Sequence, residues 1–206
     1  MNLCKQENNL TFKETMKWND YLAAFEAVLD GTNKTVPYND EAYLEYVKLN
    51  SSRQNRWIKK MVLSEETQNA LRNVRTPQKW ILITEPWCGD AAHISAFINA
   101  MSEASGNIEI DIQLRDSEPF IIDNYLTNGG RSIPKLVVQD THGRDLFTWG
   151  SRPKECQNLM LSLKESDLSE QEKKAELQKW YNKDKGVSVQ QEIAALLQEV
   201  EHKEVA

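Results

Sequence analysis

The stretch EPWCGDAA, Glu85 to Ala92, places a cysteine, a glycine and an aspartate directly after the apolar run WILIT. A cysteine at a strand-to-helix turn meets unpaired backbone N–H groups and the positive end of the helix dipole. Both favour the thiolate, the form that attacks disulfides. Asp90, two residues further on, competes for the same N–H groups and adds a negative charge, which disfavours a second anion. The effects oppose, so the residues alone leave the direction of the Cys88 pKa open. His93 would favour the thiolate if protonated and close, although an outward-facing histidine is the commoner arrangement. Cys156 forms a helical stripe with Leu159, Met160 and Leu163, which marks it as core. Cys4 lies near the N-terminus, from where it could reach Cys88. Three cysteines are too few for a disulfide framework, and no Cys/His cluster has zinc-ligand spacing. The chemistry to weigh is that of one thiol, against the alternative that Cys88 is a small buried apolar side chain.

The elements that must position this turn follow from periodicity. Thr11 and Glu14 form a capping-box pattern, after which Trp18, Tyr21, Leu22, Phe25, Val28 and Leu29 recur at helical spacing until Gly31. A second helix is expected after Asn39, carrying Tyr43, Leu44, Tyr46, Val47 and Trp57, and a third from Ser64. WILIT reads as a central strand covered on both faces. A helix then runs to Gly106, IEIDIQL from Ile108 to Leu114 reads as a strand, and residues 117–127 read as a short helix with Pro119 in its first turn. After the loop TNGGRSIP come two short strands turning around His142 and Gly143, then a helix with Pro153 near its start. Capping-box patterns at Ser169–Glu172 and Ser188–Gln191 predict two more helices, the last with an apolar face of Ile193, Leu196, Leu197 and Val200. Strands alternating with helices imply βαβ units, and the hairpin adds an antiparallel edge to a mixed sheet.

Composition excludes several classes. The chain has 206 residues, 40% hydrophobic and 27% charged, in the globular range. Its formal charge of −6 without a basic stripe argues against nucleic acid as the main partner. No segment approaches the roughly 20 apolar residues of a membrane span, and no signal-peptide pattern opens the chain. A cytoplasmic protein is expected, with no metal and with its oligomeric state undetermined.

The order WILITEPWCGDAAHISAF, then RSIPKLVVQDTHGRDLFTWG with Pro134 lying 46 residues after Cys88, resembles the thioredoxin family. Its members place a Trp-Cys-Gly-Pro-Cys turn at the end of a central strand. The resemblance implies an α/β fold, a thioredoxin-like three-layer sandwich with a mixed central sheet and helical extensions at both ends. It divides the chain into residues 1–74, an N-terminal helical extension packed on the core, 75–165, the thioredoxin-like domain, and 166–206, a C-terminal helical extension. Those extensions are similar to the ones of a larger bacterial subgroup. Matched residue by residue, Cys88 is the family's first cysteine and Gly89 its glycine. The family's proline is Asp90 here, its resolving cysteine is Ala91, and the buried acid six residues before the first cysteine is Leu82. Ile133–Pro134 matches the cis-proline loop and Gly150 the glycine that closes the substrate groove.

The resemblance implies a monothiol thiol–disulfide oxidoreductase. Cys88 would form a mixed disulfide with protein thiols or disulfides, and an external thiol would resolve it. Trp87, Gly89, Asp90, Ile133 and Pro134 would bind the substrate. No cofactor is implied, with glutathione as a candidate co-substrate and Arg131 and Lys135 as candidates for its carboxylates. The alternative is a non-catalytic module that takes an extended peptide as an added strand beside Ile133, a function that needs no second cysteine. Peroxidatic chemistry fits less well, because the threonine stands four rather than three residues before Cys88. An iron–sulfur site shared with glutathione would give a coloured protein.

Overall fold

A computed structural model describes residues 15–205. The Thr11–Glu14 capping pattern and Cys4 lie outside them. In chain order the elements are α1 (Trp18–Leu29), α2 (Glu41–Lys60), α3 (Glu65–Arg72), β1 (Gln78–Thr84), α4 (Gly89–Glu103) and β2 (Ile108–Leu114). A 3₁₀ turn (Ile121–Asn124) precedes β3 (Lys135–Gln139), β4 (Asp145–Gly150), α5 (Lys154–Lys164), α6 (Glu170–Asp184) and α7 (Val187–Val205). The sheet order is β2-β1-β3-β4, with β1 parallel to β2 and the other pairs antiparallel. This is the mixed α/β fold expected.

Local chemistry starts the helices where predicted. Asp40 accepts the Ala42 N–H at the start of α2, and Ser64 accepts the Thr67 N–H at the start of α3. Ser169 and Glu172 form a reciprocal capping box on α6. Three expectations fail. Ser188 caps nothing, because α7 already begins at Val187 and the Ser188 hydroxyl donates to Asp184. The 117–127 helix contracts to the single 3₁₀ turn, with Pro119 ahead of it after a cis bond. Gly106 does not stop α4, which ends at Glu103 with Ala104 as its C-cap.

Strand alternation divides the core. Trp80, Leu82, Ile112, Leu136, Val138 and Trp149 face one large apolar cluster shared with α1, α2, α4, α6 and α7. On the opposite face, Ile81, Ile83 and Val137 pack under Ile121, Ile122 and Ile133, with Cys88 and Ala91 in the same cluster. Helix α4 is buried around most of its circumference, from Ala91 to Ser102. No helix among the described residues is long and apolar enough to cross a membrane.

The α6–α7 link is held by Gly186 in the left-handed region, φ +77°, where a Cβ would stand 2.3 Å from the Phe97 ring. Gly186→Ala should therefore cost about 2–4 kcal/mol, combining overpacking with left-handed strain. Urea unfolding checks this, with part of the loss expected to return in a Gly186→Ala/Phe97→Leu double variant, whose smaller side chain relieves the clash.

Candidate functional site

Strand β1 ends at Thr84, and Glu85–Pro86–Trp87 carries the chain over its top to Cys88, the N-cap of α4. The sulfur accepts the Ala91 N–H at 3.5 Å, and the thiol donates to the Ile133 carbonyl at 3.5 Å. Ile133–Pro134 is cis, so the cysteine turn and the proline loop meet as expected. Gly150 closes the far side, since a Cβ there would stand 2.3 Å from the Pro134 carbonyl oxygen. No side chain larger than hydrogen fits.

The electrostatics differ from those of an open thiol. Cys88 is 6% exposed, and burial pushes its thiol up to about 12, with the Asp90 charge acting in the same direction. The Ala91 and Asp90 N–H groups and Arg152 oppose this without overcoming it. Helix-end stabilisation therefore loses to desolvation. The sulfur lies inside the small apolar cluster and is not presented to solvent.

Asp90 turns away from the helix N–H groups for which it was expected to compete. Its carboxylate pairs with Arg152 at 2.5 Å and accepts the Tyr181 hydroxyl at 2.8 Å. Arg152 comes from the β4–α5 link and Tyr181 from α6, so two distant segments answer one charge. Cys156 is core, as its spacing implied, and lies against Tyr181; burial pushes its thiol up to about 12.

His93 is the clearest correction. It is 4% exposed, its Nδ1 accepts the Trp57 Nε1–H at 2.9 Å, and its Nε2 lies 3.1 Å from Gln178 Oε1. Trp57 can only donate, so the proton sits on Nε2, and that N–H donates to Gln178 Oε1. The ring stacks on Tyr181 at 4.4 Å. Burial, with Arg53 and Arg56 nearby, holds its pKa down at about 3. A neutral imidazole assists no thiolate.

Trp87 packs edge-on against Tyr43 at 6.0 Å and lies under the Arg115 guanidinium at 4.5 Å. Its indole Nε1 is buried without a partner among the described residues. Arg131 is committed to Asp123 through both carboxylate oxygens, and Lys135 donates to Thr127 Oγ1 at 2.7 Å, so both candidate carboxylate binders are engaged within their own loop. Among the described residues no group of three metal-ligating side chains exists.

Sequence reasoning missed Glu85 and the contribution of α2. Glu85 is buried, accepting the Asp116 N–H at 3.0 Å and the Tyr38 hydroxyl at 2.8 Å, and burial raises its carboxyl above the ordinary range. Helix α2 runs along the cysteine turn. Besides Tyr43 on Trp87, Asn50 donates to the Pro86 carbonyl at 3.0 Å, and Arg53 Nη1 lies 3.5 Å from where a Gly89 Cβ would be. Tyr43, Asn50, Arg53 and Trp57 stand at helical spacing, a signal that identifies a face but not its target.

Two expectations follow. With Cys4→Ser and Cys156→Ala removing other thiols, Cys88 alkylation should keep accelerating beyond pH 9, and Asp90→Asn should lower its midpoint, because the carboxylate opposes the thiolate while Arg152 favours it. A plateau near the free-cysteine value of ~8.5 would contradict this. His93 has a folded pKa below its unfolded one, so its contribution is complete above about 6.5 and is lost as pH falls toward 3. Near pH 5 the loss should be about 2 kcal/mol. Urea unfolding against pH should show this slope in the wild type and a flatter one in His93→Gln.

The comparisons with known proteins agree with the fold. A family described as thioredoxin matches residues 37–168, which takes in α2 and α3 as well as the sheet. A crystal structure of a protein of unknown function from Pseudomonas aeruginosa superimposes with a TM-score of 0.56 at 16% identity, covering 75% of this chain and 89% of that one. An HIV epitope scaffold superimposes with a TM-score of 0.51 at 15% identity, covering 89% and 98%. No curated protein matches. With the matched segment spanning more than half of its length, and with the cysteine turn meeting the proline loop at the end of a central strand, the chain belongs to the thioredoxin family.

Proposed function

We propose that the protein holds an extended segment of a polypeptide partner in the groove between Trp87, the Cys88 turn and the Ile133–Pro134 loop, with thiol chemistry suppressed at Cys88. The observation that carries this is the backbone of Ile133. Among the described residues its N–H has no hydrogen-bond partner, and its carbonyl takes only the long Cys88 contact. A free N–H and a weakly used C=O beside the end of a strand are what an added strand pairs with. The thiol pushed up to about 12 and Ala91 in place of a resolving cysteine support the same reading.

Monothiol exchange is the second reading, favoured by the sulfur standing at the N-cap of α4 and accepting the Ala91 N–H. There the Cys88 thiolate attacks a partner disulfide and one partner sulfur leaves as thiolate; the thiolate of an external thiol such as glutathione then attacks the partner sulfur of the mixed disulfide, forming a glutathione–partner disulfide and releasing Cys88 as thiolate. A soluble cytoplasmic setting, where thiols are kept reduced, suits either reading.

An array of short peptides probed with the full-length protein separates them. Wild type and Cys88→Ser should retain the same peptides, and Trp87→Ala should weaken retention about tenfold, the loss typical of an aromatic anchor. Both cysteine forms should reduce insulin at the uncatalysed rate with dithiothreitol and with glutathione. Insulin reduction by wild type alone, or dithiothreitol-released capture that needs Cys88, would overturn the binding reading in favour of exchange.

A further inference from the structure

Arg53 is a half-buried cation that makes no ion pair among the described residues. It projects from α2 against Gly89, at the amino end of α4, where the helix dipole already presents positive charge. Arg56 stands one turn away and adds a like charge, and His93 beside both is neutral. Among the described residues no carboxylate lies within 4 Å of Arg53. The nearest influence is Asp90, already held by Arg152 and Tyr181. Arg53 Nη1 donates to Asn50 Oδ1 at 3.0 Å, its Nε is buried without a partner, and its Nη2 has no partner among the described residues. The contrast with Arg152 and Arg115, each paired to an aspartate, is local and specific. A guanidinium beside a helix N-terminus and another guanidinium has the wrong sign for stability.

We infer that Arg53 is the specificity-determining residue of the groove, recognising an acidic side chain, Asp or Glu, in the extended polypeptide that docks beside Ile133. This rests on the reading of the groove as a polypeptide site and names its substrate class. Asn50 fixes the guanidinium by accepting from Nη1 while donating to the Pro86 carbonyl, which ties α2 to the cysteine turn. The unpartnered Nη2 is then left to donate to the incoming carboxylate. Such a charge-assisted bond is stronger than a neutral one and compensates the helix end as well. Trp87, whose indole Nε1 also has no partner among the described residues, packs against Tyr43 of the same helix.

The test uses the peptide array with matched Glu/Gln and Asp/Asn pairs, probed with full-length wild type, Arg53→Gln and Arg53→Lys, and with Trp87→Ala to identify groove-bound peptides. Wild type should prefer the acidic member about tenfold, Arg53→Gln should lose the preference, and Arg53→Lys should keep part of it. Added salt should narrow the wild-type preference. The urea midpoint of Arg53→Gln should equal or exceed that of wild type, which a structural role would not allow. Groove-dependent binding with no acidic preference, or with a preference unchanged in Arg53→Gln, overturns this inference while leaving the binding reading standing. No retained peptide overturns both. Arg53-dependent binding of glutathione in calorimetry, without a peptide preference, overturns it by making a small thiol the occupant.

Discussion

The placement of one negative charge constrains the whole site. Asp90 stands in the first turn of α4, a helix covered on nearly every side, so its carboxylate cannot be left to solvent and must be met by protein groups. Arg152 and Tyr181 meet it, and they come from opposite sides of the C-terminal half of the chain. Removing one partner of a buried pair commonly costs about 3–5 kcal/mol. The contact therefore anchors the residues just after Gly150, the glycine that must lie flat against Pro134, and it anchors α6 across the start of α4. Through Asp90 the same contact acts on Cys88, whose ionisation burial and this carboxylate both oppose. Asp90 thus couples α6 and the β4–α5 link to the thiol.

A neutral polar row continues from that contact. Tyr181 stacks on His93, which accepts from Trp57 and donates its Nε2–H to Gln178 Oε1, so α2, α4 and α6 are joined by partners that match only when the imidazole is uncharged. Charged groups flank the row unevenly. On the α6 side Asp90 is met by Arg152 and the Tyr181 hydroxyl, whereas on the α2 side Arg53 and Arg56 have no carboxylate within 4 Å among the described residues. Paired and unpaired charges thus separate across the two faces of α4. The helix end carries a closed network on one side and an open guanidinium on the other.

The architecture was legible because its determinants are local. WILIT, the alternation of IEIDIQL and the caps at Ser64 and Ser169 each operate within a few residues, and the structure places those elements as expected. The cis Ile133–Pro134 bond and the glycine at Gly150 were legible through family resemblance rather than through pattern. What pattern could not supply was pairing over long separations. An aspartate after Cys-Gly announces a charge but not that residues 62 and 91 positions away will answer it. His93 was misjudged for the same reason, since its fate depends on Trp57 and Gln178, 36 and 85 residues distant. The Ser188 pattern failed because a helix can start one residue early when Asp184 takes the hydroxyl. The 117–127 segment failed because tertiary packing of Ile121 and Ile122 under the sheet outweighs local helix propensity.

These constraints also bear on how far the chain stands from dithiol chemistry. Ala91 is fully buried in the small cluster with Cys88, so a second sulfur there would have to be accommodated by a packed interior. The first sulfur would still be buried and still face the Asp90 carboxylate. Replacing Asp90 by the family's proline would relieve the thiol but would leave Arg152 as an unpaired half-buried cation and Tyr181 without its acceptor. Neutralising Arg152 as well would loosen the segment that holds Gly150 against Pro134. Each step toward exchange chemistry removes a contact that holds the cysteine turn and the proline loop in place. The turn is therefore a charged arrangement in which Asp90, through Arg152 and Tyr181, holds the outer helices in place beside a buried thiol.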